Sequence, residues 1–116
     1  MAATEVPVLD ISFKAENTFA SSQYYAAELS AADQVDVCDA TGDTVLGIIQ
    51  NNPAAGQAAQ VRVYGVSKWV SDGTVTAVGD YVGTGSTGKA VKKSANNDKI
   101  AGIALSASSV DGTIIN

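Results

Sequence analysis

The chain has 116 residues, with 12 acidic against seven basic side chains, one cysteine and no histidine. That length fits one domain, and the missing histidine excludes a Ser-His-Asp triad and any histidine metal site. One cysteine makes an internal disulfide impossible, and a net charge of −5 argues against binding a nucleic-acid backbone.

The first thirteen residues are predicted to form an extended N-terminal arm, and residues 14–116 a single β-domain. The first residues lack the features of a signal peptide. The sequence contains no run of about 18 apolar residues, so no membrane span is predicted. Pro7 has no N–H to donate, which limits this segment to the edge of a sheet. We expect the arm to be loose in the free protein and to become ordered against a neighbouring chain. Its candidate contact residues are Val6, Pro7, Val8, Leu9, Ile11 and Phe13.

Beyond the arm, short apolar runs alternate with turn signals made of Gly, Asn and Asp. Four Leu stand against 14 Val and seven Ile, a balance that favours strands over helices. The predicted strands are 23–29, 35–38, 44–50, 59–70, 75–78, 80–82, 91–93, 100–105 and 113–115. Turns are predicted at 40–43, 51–56, 71–74 and 96–98. This spacing predicts an all-β fold, a small single-domain β-barrel or sandwich of short strands.

Two segments of the domain share a pattern. Residues 43–49 and 98–104 both read Asp-x-(Val or Ile)-x-Gly-Ile-x. The repeat predicts two related β-units that close one barrel. Gly47 and Gly102 would then stand where backbones approach closely.

A glycine-rich segment, residues 83–89, matches both G-x-G-x-x-G and G-x-x-x-x-G-K. A phosphate site of that kind needs a helix after the loop and a Ser or Thr after the lysine. Position 90 is Ala, and the following residues are too few and too rich in Asn to form that helix. We therefore interpret the segment as a mobile hairpin loop without nucleotide affinity.

No catalytic, cofactor-binding or metal-binding residue is assigned. Most of the acidic residues lie in turn contexts, where they need no catalytic role. The sequence indicates no base or cation that would activate Cys38, which is therefore interpreted as a small buried hydrophobic residue. Trp69 is interpreted as a core or interface aromatic, with a sugar-stacking platform as the alternative.

One stretch of the sequence resembles a known family. Residues 45–53, then 56–58 and 61–66, resemble the head decoration proteins of tailed bacteriophages, also called capsid cement proteins. The resemblance continues through residues 72–73, 79–82, 88–90, 100–105 and 111–112, so that it covers roughly 20–116.

The resemblance implies a structural virion protein without an active site or cofactor. Such proteins bind the outer surface of the capsid and stabilise the expanded head, commonly as trimers and sometimes as dimers. The expected partners are the major capsid protein and other copies of this chain, with no nucleic acid and no membrane. The expected location is the outer capsid surface, after synthesis in the cytoplasm of the host bacterium.

A second interpretation stays open at this point. A carbohydrate- or surface-binding β-module of a phage tail or fibre would use Trp69 and the four tyrosines. Binding to empty expanded capsids, as opposed to a glycan array, distinguishes the two functions.

Overall fold

Nine β-strands make up the regular structure of the described chain. A computed structural model describes residues 6–19, 21–72, 79–93, 99–104 and 111–115, and these include no helix, hence none that could cross a membrane. In chain order the strands are β1 (Val6–Ala15), β2 (Ala26–Ala31), β3 (Gln34–Val37), β4 (Gly47–Ile49), β5 (Ala58–Val70), β6 (Tyr81–Thr84), β7 (Ala90–Lys92), β8 (Gly102–Ala104) and β9 (Asp111–Ile115). The all-β prediction is confirmed. The predicted strand 75–78, the turn residues 73–74 and 96–98, and residues 1–5 and 105 lie outside the described residues.

Five of the strands close a ring. β1 pairs with β3 in parallel and with β5 antiparallel, while β2 and β4 complete the circuit between β3 and β5. Each of the five strands contributes a small or branched apolar side chain to the interior. With Phe19 beside them, these residues form one core cluster: Ala15, Phe19, Ala27, Val35, Ile49, Ala59 and Val61.

The 13-residue strand β5 also carries a second group of strands along its carboxyl-terminal half. β9 pairs there, and β8, β6 and β7 continue the sheet, until a parallel bridge between Ser71 and Ala90 returns β7 to the end of β5. Successive side chains of a strand point to opposite faces, so β2 and β4 contribute to both cores. The second cluster contains Ala26, Cys38, Ile48, Trp69, Val82, Ala90 and Ala104.

The two copies of the internal repeat lie in different groups of strands. Gly47 begins β4 in the closed ring, and Gly102 begins β8 in the second group. A Cβ atom at Gly47 would clash with the backbone oxygen of Arg62, so the predicted close approach of backbones is confirmed there. The prediction that both copies close one barrel was wrong, because each serves a different strand group and the two groups share β5.

Residues 6–13 are part of a paired strand, which corrects the prediction of a loose arm. β1 continues from Val6 to Ala15 and pairs with β5 from Val6↔Val66 to Lys14↔Ala58. Pro7 is tolerated because it lies opposite Gly65, next to a shift in register. The segment that was predicted to contact a neighbouring chain therefore pairs with β5 of the same chain.

The glycine-rich segment is a tight hairpin packed against the core, which corrects the prediction of a mobile loop. Gly83 and Thr84 end β6, and Ala90 begins β7. The backbone oxygen of Gly88 accepts hydrogen bonds from the Ala26 N–H and from Trp69 Nε1, each at 2.9 Å. These two bonds hold the Gly88 carbonyl against the core.

Candidate functional site

Several exposed apolar side chains lie on β1 and its neighbour β5. Val8, Leu9 and Ile11 are 62%, 48% and 38% exposed. Tyr64, directly opposite Leu9 on β5, is 57% exposed. Register shifts on both sides of Leu9 interrupt the alternation of the strand, so that the consecutive side chains of Val8 and Leu9 both reach solvent. We call these four residues the β1 patch.

A charged pair fixes the two strands beside the β1 patch. Arg62 Nε donates to Asp10 Oδ1 at 2.9 Å, and Nη2 donates to Oδ2 at 3.2 Å. Arg62 Nη1 also donates to the Val66 carbonyl at 3.1 Å. Both side chains are largely buried, and a fork of parallel bonds resists sliding of one strand along the other. The ion pair therefore holds the two strands that carry the β1 patch in a fixed register.

One edge of β1 is only partly paired within the described residues. The Lys14 N–H donates to Asp33 on the β3 side, whereas the next N–H, that of Ala15, donates to Gln57 on the β5 side. Alternation along the strand turns the N–H groups of Ser12 and Asp10 to the β3 side as well. Within the described residues, β3 pairs with β1 at positions 14 and 15 alone, and no other described strand pairs with residues 10–12 on that side.

Other exposed apolar side chains lie away from β1. Tyr81 and Ile103 are direct partners on β6 and β8 and are 54% and 39% exposed, and Ile100 is 53% exposed. Leu29 on β2 is 57% exposed. Tyr81 and Leu29 thus match Tyr64 and Leu9 of the β1 patch in residue type and in exposure.

Three titratable side chains meet beside β2. Potential ligand atoms of Glu28, Cys38 and Asp43 all lie within 4.8 Å of one another. Burial, followed by the hydrogen bond and charge of Asp43, raises the pKa of Glu28 to about 7. The same hydrogen bond from Glu28 lowers the pKa of Asp43. We call these three residues the acid–thiol cluster.

The acid–thiol cluster is poorly suited to hold a metal ion. A thiol binds a metal as the thiolate, and burial raises the pKa of Cys38 to about 12. Two carboxyl groups remain: burial and their interaction raise the pKa of Glu28, and the interaction lowers that of Asp43. The cluster is a carboxyl pair beside a buried thiol, and Cys38 is buried as its sequence context predicted.

The aromatic residue that could have stacked on a sugar is inaccessible. Trp69 is 1% exposed and packs in the second core cluster. The interpretation of Trp69 as a core aromatic is confirmed, and the carbohydrate alternative loses its main residue.

All six predicted contact residues lie on β1. Val8, Leu9 and Ile11 lie in the β1 patch, with Pro7 exposed beside them. Phe13 is half-buried and packs against the ring core, and Val6 pairs with Val66 at the start of the strand. Sequence reasoning did not place Tyr64 among these contact residues. Its signal was the alternation of β5, in which Val61 and Val63 predict a core face and Tyr64 falls on the other.

A comparison with family models identifies the chain. The model described as phage cement protein matches residues 6–116. The chain belongs to the phage cement protein family. This protein is accordingly a phage structural protein, and its family gives it a location in the virion.

A solved structure shares the cement-family fold. It is the N base of the head fiber protein gp8.5 of bacteriophage phi29, which is 18% identical, with a TM-score of 0.63 and 93% of each chain covered. At that identity the likeness shows the fold alone. No curated protein matches the chain at a significant level.

Proposed function

We propose that this protein binds the outer surface of the phage capsid and stabilises the expanded head. The observation that carries the proposal is the β1 patch, which exposes four large apolar side chains on a rigid strand pair of a cement-family protein. Exposed apolar side chains grouped on one strand pair are typical of interaction sites. The proposed partner is the major capsid protein, and other copies of this chain are proposed to assemble with it as a trimer or dimer.

Each copy needs only a modest contact. Complete burial of an exposed Leu or Val contributes roughly 1.5–3 kcal/mol, and the side chains of the β1 patch are already about half buried. The edge of β1 that no described strand covers would add backbone hydrogen bonds if an extended capsid segment pairs with residues 10–12. Where several such chains are joined in one oligomer, the second and third contacts form at high effective concentration and multiply the affinity.

The net charge supports a protein partner over a nucleic acid. At −5 the chain would repel packaged DNA, and the β1 patch itself contains no charged side chain. Release of water from apolar surface, as opposed to pairing of charges, is then the main source of affinity. Binding should therefore change little between low and moderate salt.

The experiment mixes purified protein with empty expanded heads and with a glycan array. Saturable co-sedimentation at a fixed copy number, together with heads that rupture at higher temperature, is the result that we expect. Binding to glycans without binding to heads would favour the surface-binding module and contradict the proposal. Unexpanded precursor heads are the control for the stage of assembly.

A further inference from the structure

The acid–thiol cluster links β2 to the loop between β3 and β4. Asp43 belongs to this loop, and its Oδ2 accepts the N–H groups of Asp39 and Ala40, each at 2.9 Å. A carboxyl oxygen of Glu28, on β2, lies within 4.8 Å of one of Asp43, and a side-chain hydrogen bond between them contributes to the pKa shifts of both groups. At its two ends the loop is fixed by backbone bonds, from Cys38 N to Ala26 O and from Leu46 N to Ala27 O.

The bond between Glu28 and Asp43 requires a proton. Two ionised carboxylates are acceptors alone, so one of them must carry the hydrogen. Asp43 already accepts two backbone N–H groups, which favours its charged form. The proton therefore lies on Glu28, in agreement with the raised pKa of Glu28 and the lowered pKa of Asp43.

The surroundings make the pair sensitive to loss of that proton. Negative groups face Glu28 from β3 and from the loop, namely Asp36, Asp39 and Asp43. The two lysines near the loop bind other groups: Lys93 Nζ donates to the Thr41 carbonyl at 3.4 Å and Lys99 Nζ to Thr44 Oγ1 at 3.2 Å. An ionised Glu28 would thus face carboxylates with no described cation bonded to its own carboxyl group.

We propose that Glu28 and Asp43 form a proton-operated latch, which holds the β3–β4 loop closed over the Cys38 thiol and releases it when Glu28 ionises. The thiol has no solvent exposure, while both carboxyl side chains are partly exposed and lie within 4.8 Å of it. Two surface pockets, of about 290 and 250 Å³, flank the loop and share Thr44 and Val45. Release of the loop would reshape both.

The test uses the reactivity of Cys38, the single cysteine of the chain. Native protein is alkylated with N-ethylmaleimide at about pH 5.5 and about pH 8.5, on either side of neutrality, and each rate is divided by that of the urea-unfolded chain, which corrects for thiolate content. Glu28→Gln can still donate to Asp43 but cannot ionise. Glu16→Gln, at an exposed acid outside the cluster, is the matched control.

The latch predicts that the corrected rate of the wild type rises by about tenfold or more between the two pH values, the change that ~1.4 kcal/mol of repulsion produces. Glu16→Gln should show the same rise, whereas Glu28→Gln should stay at the low rate. Equal pH responses of wild type and Glu28→Gln would overturn the proposal.

A measurement on the wild type alone keeps the proposal testable if Glu28→Gln does not fold. The amide N–H groups of Asp39 and Ala40 bind Asp43, so their NMR chemical shifts should titrate together, with a midpoint near neutral pH. A midpoint in the ordinary range of carboxyl groups, about pH 4, would contradict the latch.

Discussion

Asp10 of β1 and Arg62 of β5 form a two-pronged ion pair with N–O distances of 2.9 and 3.2 Å, within a ring that these two strands help to close. The Arg62 side chain is 10% exposed and that of Asp10 15%. The pair joins β1, the segment that was predicted to be an arm, to β5, the longest of the described strands. The geometry of this pair indicates that β1 stabilises the fold, in addition to any role that it has in binding.

Replacement of Asp10 by Ala should destabilise the protein. The substitution removes the carboxylate from a largely buried guanidinium, and we expect a loss of about 3 kcal/mol, the lower end of the roughly 3–5 kcal/mol found for buried pairs. Urea unfolding followed by circular dichroism measures the change. Lys92→Ala, at the more exposed pair with Asp80, is the control and should cost less than about 1 kcal/mol. Equal losses at the two sites would contradict a structural role for the Asp10 pair.

Deletion of residues 2–12 should abolish cooperative folding. The deletion removes most of β1, opens the five-stranded ring and exposes the β5 edge beside Val61 and Ala59. A melting curve of the truncated chain tests this expectation. An unchanged midpoint would show that these residues are an independent arm after all.

Substitution of Gly88 should be far more costly than substitution of Gly56. Both have positive φ, +79° and +82°, so Ala at either position carries roughly 1–2 kcal/mol of backbone strain. A Cβ atom at Gly88 would also meet Val37 Cγ1 at 2.6 Å, whereas at Gly56 it would meet nothing within 4 Å. Overpacking adds roughly 1–3 kcal/mol at Gly88. Thermal melts of the two variants give the difference, and similar midpoints would show that the hairpin does not pack tightly.

Protonation of Glu28 should make stability depend on pH. The pKa of Glu28 is about 7 in the folded chain against 4.5 in the unfolded chain, so the folded state binds more protons between these values. The stabilisation is complete below pH 4.5 and is lost as the pH rises through 7. Glu28→Gln should flatten that part of the profile of unfolding free energy against pH. A wild-type profile that already rises through this range, and that the substitution leaves unchanged, would contradict the assignment.

The residue pattern predicted the strand content better than it predicted the roles of the strands. Alternating Val61 and Val63 located β5, because a half-buried surface of a sheet requires that period. Pro7 misled the interpretation of β1, since nothing in the sequence shows that Gly65 lies opposite it. The acid–thiol cluster depends on contacts between β2 and a later loop. Local spacing does not reveal such a long-range meeting of Glu28 with Asp43.

The affinity of matched leucine variants for empty expanded heads tests the central claim most directly. Leu9→Ser removes an apolar side chain from the β1 patch, and Leu29→Ser removes one of similar exposure from β2. Dissociation constants from co-sedimentation should rise about tenfold, or ~1.4 kcal/mol, for Leu9→Ser and stay near the wild-type value for Leu29→Ser. Equal affinity of both variants and the wild type would contradict the β1 patch as the capsid-binding surface.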